Sequence, residues 1–265
     1  MSRPGRAQAV LLLVLGAVLA GCPSLFGPPM QMTLQLETDG SILSETALAQ
    51  ARDIVRERLE MLGYGGAVVE TAPGQRLSVR LRGVKDPERV KKLILTRALL
   101  ELRLVRFPTE GEASSEEAVL GHYNGQLPPD LEILSDEVRD ENGKVTGTRY
   151  YAVERQPVIT GQDLATVRPS MGQFGDPIVE FRLKPEAAEA FAEATGFNIG
   201  KFLAIVLDQR MVSAPKINGR ISDYGVIEGG FTKDQAHDLA VVLRSGALPG
   251  RLTMVEERVG TPGGR

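Results

Sequence analysis

The chain has 265 residues, 42% of them hydrophobic and 25% charged, with 31 Lys and Arg against 34 Asp and Glu, two His, a single Cys and a formal charge of -3. That length supplies one or two ordinary hydrophobic cores. The mildly acidic balance argues against a nucleic-acid binder, and one cysteine excludes a disulfide framework or a cysteine metal cluster.

Residues 1–21 read as a lipoprotein signal peptide. Arg3 and Arg6 precede an uncharged apolar run over 9–20, shorter than the roughly 20 residues that span a bilayer. The run closes on Leu19-Ala20-Gly21-Cys22, the pattern of a bacterial lipoprotein: cleavage falls before Cys22, whose sulfur and new amino group then carry acyl chains, each buried methylene adding about 0.8 kcal/mol of anchoring. An ordinary secretory peptide with a chance cysteine is the alternative. Removing residues 1–21 takes Arg3 and Arg6 and no acid, so the charge of -3 becomes -5. With Cys22 lipidated, the exported part has no thiol left for a disulfide, a nucleophile or a metal ligand. No later apolar run approaches membrane length.

Residues 22–31, rich in proline, form an expected tether. Met32, Leu34 and Leu36 alternate as in a half-buried strand, and Asp39-Gly40 turns the chain. Leu48, Ala51, Val55, Leu59 and Leu62 make a helical stripe ended by Gly63. Short strands at 67–69 and over Leu77, Val79 and Leu81 are joined through Pro73-Gly74. Asp86 caps a second helix that opens on Pro87 and turns Val90, Leu93 and Ile94 inward. Leu100, Leu102 and Leu104 alternate again. Residues 32–106 thus read as strand, helix, two strands, helix, strand, which predicts an α+β fold with a ferredoxin-like base, whole or split by an insertion.

Residues 107–157 are expected to be an inserted loop and hairpin, with 107–130 a loop and strands at 131–138 and 145–153 flanking Asn142-Gly143. In 158–230, Val179, Phe181 and Leu183 alternate, Pro185 opens a helix reaching Thr195, residues 204–207 make a buried strand, and glycines punctuate short strands around Ile217, Ile221 and Val226-Ile227. Residues 231–258 hold a capped helix and a last strand over 252–255. Thr232 and Gln235 form a capping box, Ala236, Leu239, Ala240 and Leu243 share one face, and Gly246 and Pro249 stop the helix. Residues 259–265 read as a disordered tail.

Catalysis has little support, with no activated nucleophile motif and histidines only at His122, in the expected loop, and His237, on the capped helix. Asp234, His237 and Asp238 share a helix face but lack ligands from another segment, so a solvated face is the reading and neither metal nor cofactor is expected. Asp208 reads as a turn former, and the run Arg52, Asp53, Arg56, Glu57, Arg58 and Glu60 as a solvated helix face. The exception is Met171 with Phe174, set among Gly172 and Gly175: a mobile loop offering exposed apolar contacts, the candidate for polypeptide binding.

Several blocks resemble, in order, the SecD family of protein-export translocase subunits: residues 51–59 with Gly63; 77–81 with Gly83, Val84 and Asp86; 100–105; 158–164; Phe191, Thr195, Asn198, Gly200 and Lys201; 203–208; 213–215; 227–232; and the helix at 232–249. The agreement runs from about residue 45 to 258. The resemblance implies a periplasmic domain with a ferredoxin-like base, an inserted head at 158–230, and a helix and strand at 231–258 that return to complete the base. It also implies a place in late protein export, with exported unfolded polypeptides or Sec translocase membrane subunits as partners. The family continues through transmembrane helices that couple to protons, whereas this sequence ends at Arg265. The expectation is therefore a non-enzymatic, lipid-anchored module in the bacterial envelope, with the choice of inner or outer membrane open. A second departure is Gln209-Arg210-Met211, where the family places a glycine-containing turn. An envelope scaffold reusing the same fold is the competing reading.

Overall fold

The structure, a computed structural model, describes residues 28–37, 45–108, 113–139 and 144–260. The expected signal peptide, Cys22 after it, the Asp39-Gly40 turn, the Asn142-Gly143 tip and residues 261–265 lie outside the described residues.

Alternation sets the first sheet. Met30, Met32, Leu34 and Leu36 are buried on one face of β1 (Met30–Glu37), which begins two residues before the expected start, inside the stretch assigned to the tether. The chain continues through α1 (Glu45–Met61), β2 (Val68–Ala72), β3 (Arg76–Leu81) and α2 (Pro87–Leu95). β1 pairs antiparallel with β3, and β3 with β2. Both helices cover this sheet, α1 burying Ala51, Ile54, Val55 and Leu59 and α2 burying Val90 and Ile94. Asp86 caps α2 as expected, its carboxylate accepting the Arg89 N–H at 3.0 Å.

The strand expected to finish residues 32–106 goes elsewhere. β4 (Leu100–Phe107) lies in a second sheet with β5 (Leu131–Arg139), β6 (Val145–Glu154), β7 (Ile159–Thr160), β10 (Leu203–Leu207) and β11 (Arg210–Ser213), ordered β11-β10-β4-β6-β5 with β7 also on β4. The fourth place in the first sheet is taken by β13 (Arg251–Val259), antiparallel to β1 along its whole length, giving the order β13-β1-β3-β2. Burial explains the exchange. β4 sends Leu100, Leu102 and Leu104 into one core and Val105 into another, as a central strand does, whereas β13 leaves residues 255–259 exposed at an edge. Val259, expected in the tail, is the last residue of that strand.

β8 (Leu164–Met171), β9 (Pro177–Leu183) and β12 (Tyr224–Ile227) form a third sheet in the order β12-β9-β8. α4 (Pro185–Phe197) and α5 (Lys233–Arg244) join it in a core that includes Phe181, Phe191, Leu203, Ile205, Leu239 and Leu243. The capping box of α5 is formed, with Thr232 Oγ1 accepting the Gln235 N–H and Gln235 Oε1 accepting the Thr232 N–H. Its apolar face lies chiefly against β8 and β9, so the helix expected to close the base is buried largely in the other core.

Two further expectations need correction. Residues 107–130 are not all loop: Ser115 caps α3 (Glu116–His122), which buries Val119 in a small cluster with Ala113, Leu131 and Ala152. Ile217 and Ile221 lie outside strands: Ile217 bonds to the turn after α4, its O accepting the Gly200 N–H and its N–H donating to Lys201 O, each at 2.8 Å, and the Ile221 N–H donates to Thr195 Oγ1 within α4 at 2.9 Å. The alternating signal of β9 was legible, but its partner β8, whose burial follows no clean period, was not.

Candidate functional site

Two places combine unusual chemistry with position: the junction between the two large cores, and the tip of the β8–β9 hairpin in the unit formed by the second and third sheets. The chain crosses the junction at residues 96–99 and again at 245–250.

Arg58 holds both crossings. It occupies the apolar stripe of α1, three residues after Val55 and four after Ile54, and is 0% exposed. Its Nη1 donates to Leu93 O at 2.8 Å and to Thr96 O, its Nη2 to Gly246 O at 3.0 Å and its Nε to Ser245 Oγ at 2.9 Å. Burial lowers its pKa to about 10, partly offset by the charges of Asp208 and Glu57, so the guanidinium stays protonated at neutral pH. The sequence reading placed Arg58 on a solvated face; the available signal was a charge inside the helical stripe. Its neighbours Arg52, Asp53 and Arg56 do form half-exposed surface pairs.

Asp208 grips the first crossing from the other side. Its carboxylate accepts the Ala98 N–H at 3.1 Å and the Leu99 N–H at 2.8 Å, while its own N–H donates to Leu99 O at 3.0 Å. Asp208 at φ 50 and Gln209 at φ 65 form a two-residue hairpin between Leu207 and Arg210, and Ala98 itself sits at φ 64. A hairpin with positive φ at both central residues favours Asp-Gly over Asp-Gln. Gln209→Gly is therefore expected to stabilise the protein by about 1 kcal/mol, read as a higher urea midpoint at unchanged slope.

Met171 and Phe174 come together at the tip of the β8–β9 hairpin, where Met171 pairs with Pro177 and the Gly172 N–H donates to Asp176 O at 2.7 Å. Phe174 is 93% exposed and Met171 49% exposed. A groove of about 440 Å³ opens elsewhere in the same unit, walled by Phe181, Phe191, Ile205 and Ile217 and rimmed by Lys216, Arg220 and Glu228.

His122 and Asp238 are committed to other contacts. His122 stacks on Phe107 at 4.2 Å between ring centroids and meets Tyr123 edge-on. Asp238 accepts a two-pronged ion pair from Arg89, at 3.0 and 2.7 Å on one oxygen. Among the described residues no three His, Cys, Asp or Glu side chains converge as a metal site, and no helix is long and apolar enough to cross a membrane.

An α+β domain of antiparallel sheets, with a second unit inserted between a four-stranded sheet's third and last strands, is the class found in the protein-export factor SecDF. Residues 133–250 match the sequence family described as the SecDF P1 head subdomain, and residues 48–106 that described as protein translocase subunit SecDF, P1 domain, N-terminal. The chain is 43% identical over 220 residues to protein translocase subunit SecD of Aquifex aeolicus, covering 83% of this chain and 41% of that one. With SecD of Desulfurispirillum indicum the figures are 38% over 224 residues, 83% and 42%. A solved structure described as a membrane component SecDF that enhances protein export superposes with a TM-score of 0.65 at 32% identity, covering 86% of this chain and 99% of that one. SecDF in its super-membrane-facing form gives 0.67 at 32%, covering 88% and 30%. The chain belongs to the SecD family, and spans about two-fifths of the length of the curated relatives it matches.

Proposed function

We propose that this chain is a non-catalytic export module, held to the envelope by acyl chains on Cys22 and facing the periplasm, which binds translocating polypeptides or the Sec translocase. The observation that carries the reading is the match along 99% of a solved SecDF chain described as enhancing protein export. The order β13-β1-β3-β2, wholly antiparallel and covered by α1 and α2, supports a ferredoxin-like base completed by the returning strand. Residues 158–230 then supply the inserted head, and Met171 and Phe174 its polypeptide contacts.

An exposed phenyl ring that becomes buried against an extended client contributes about 1.5–3 kcal/mol. Phe174→Ser with Met171→Ser is expected to weaken capture of an unfolded exported protein about tenfold or more while leaving the thermal midpoint unchanged. Suppression of client aggregation, titrated with the purified domain, reads this. Equal suppression by the double variant removes these two residues from the site, and no suppression by the unaltered domain, together with no binding to the translocase, removes the export role.

A further inference from the structure

α4 presents a second exposed face that the hairpin tip does not use. Glu186, Glu189, Glu193 and Phe197 follow one another at spacings of three and four, so they lie along one side of the helix. The three glutamates are exposed, and among the described residues none has a hydrogen-bonding or ion-pairing partner. The opposite side packs Ala188, Phe191 and Thr195 inward.

A solvated helix face accounts for the glutamates but not for what ends the row. Phe197 is 79% exposed and Ile199 56% exposed, on either side of buried Asn198. Asn198 is fixed: its Nδ2 donates to Ala194 O at 2.8 Å and its Oδ1 accepts from Lys201 Nζ at 3.0 Å. Gly200, at φ +89, donates its N–H to Ile217 O at 2.8 Å. The turn is thus tied from both sides with two large apolar side chains held in water. A shallow groove of about 430 Å³ runs beside it between Glu189, Glu193, Phe197 and Arg220, the one basic side chain on its wall.

We propose that this face docks segments of exported polypeptide in which basic residues adjoin apolar ones, the apolar side chains resting on Phe197 and Ile199 and the basic ones along Glu193, Glu189 and Glu186. The proposal rests on the export-module reading and adds the class of sequence preferred. Charge complementarity sets the choice: along the row the three unpaired acids face only Arg220 across the groove, while Lys184 lies before the helix and the Lys201 ammonium is held by Asn198 at the far turn, so the face selects lysine and arginine over aspartate and glutamate. Geometry sets the length. The twelve residues of helix from Glu186 to Phe197 span about 16 Å, which an extended client covers in about five residues.

The test uses the purified chain and two labelled unstructured 12-residue peptides, one joining Lys and Arg to Leu and Phe, the other with Glu in place of the basic residues. Fluorescence anisotropy compares the native chain with Glu186→Gln/Glu189→Gln/Glu193→Gln and with Phe197→Ser; all four positions are exposed, and thermal melts check that the variants fold. The basic peptide is expected to bind at least tenfold tighter than the acidic one, to lose about tenfold in either variant, and to weaken as salt rises. Equal affinity for both peptides, or no loss in the triple variant, overturns the inference. If unfolded exported protein is still captured through Phe174 in that case, the export reading stands without it; if neither peptide nor unfolded protein nor the translocase binds the native chain, both fall.

Discussion

Arg58→Met is expected to destabilise the protein by about 3–5 kcal/mol, the largest effect of any single exchange outside the hydrophobic cores. Methionine keeps part of the apolar stem but strands four acceptors, Leu93 O, Thr96 O, Gly246 O and Ser245 Oγ, which Arg58 satisfies inside the junction. A buried acceptor without a donor costs about 1–3 kcal/mol. Arg58→Lys is expected to recover only part of the loss, because one ammonium cannot match a planar fork aimed at acceptors on two separate chain crossings. Urea unfolding gives the size of the effect, and amide hydrogen exchange its place. Faster exchange is expected at Leu248, whose N–H donates to Arg97 O at the junction, before it appears in β1 or β9. A loss below about 1 kcal/mol, with exchange at Leu248 unchanged, contradicts this role.

Asp208→Ala comes next, at about 2–4 kcal/mol. It removes the acceptor for two backbone N–H groups, those of Ala98 and Leu99, each costing about 1–3 kcal/mol when left unpaired. It also places alanine at φ 50, a conformation that aspartate tolerates better. Asp208→Asn keeps one amide oxygen as acceptor and is expected to lose about half as much. Combined with Arg58→Met, the two losses should fall short of additivity, since both side chains secure residues 96–99. A double-mutant cycle in urea measures this, and strict additivity would mean that the two grips act independently.

Local chemistry was legible in the sequence wherever it is written in a few adjacent residues. The Thr232–Gln235 capping box, the Asp86 cap and the alternation of β1 and β9 needed nothing beyond their own spacing. Partnership was not legible in the spacing; that a last strand returns to the first sheet was implied by the family resemblance alone. Leu100, Leu102 and Leu104 specify a strand with one apolar face, but nothing in that alternation says whether the strand lies beside β1 or beside β10. β13 took the place beside β1 through contacts more than 200 residues distant in sequence. α3 was hidden because it buries only Val119, too little to raise a helical period above a polar background. β11 was hidden because its hairpin uses Asp208-Gln209 without the glycine that marks such turns.

The candidate site divides in the same way. Phe174 and Met171 stood out because glycines flank an apolar pair where no core period continues. Phe197 and Ile199 did not, since an apolar residue at a helix end reads as core until the burial of Asn198 shows which side chains the turn directs outward. Arg58 was misplaced because composition counts its charge, whereas the structure counts the acceptors around it.

The measurement that bears most directly on the central claim is in-cell photocrosslinking, with a photoreactive residue at Phe174 and a second at Arg52 on the exposed side of α1, and captured proteins identified by mass spectrometry. An export module predicts many different exported chains, or translocase subunits, captured from position 174. One recurring envelope protein, with neither exported chains nor translocase subunits, contradicts that role and makes the domain a scaffold built on a SecD fold.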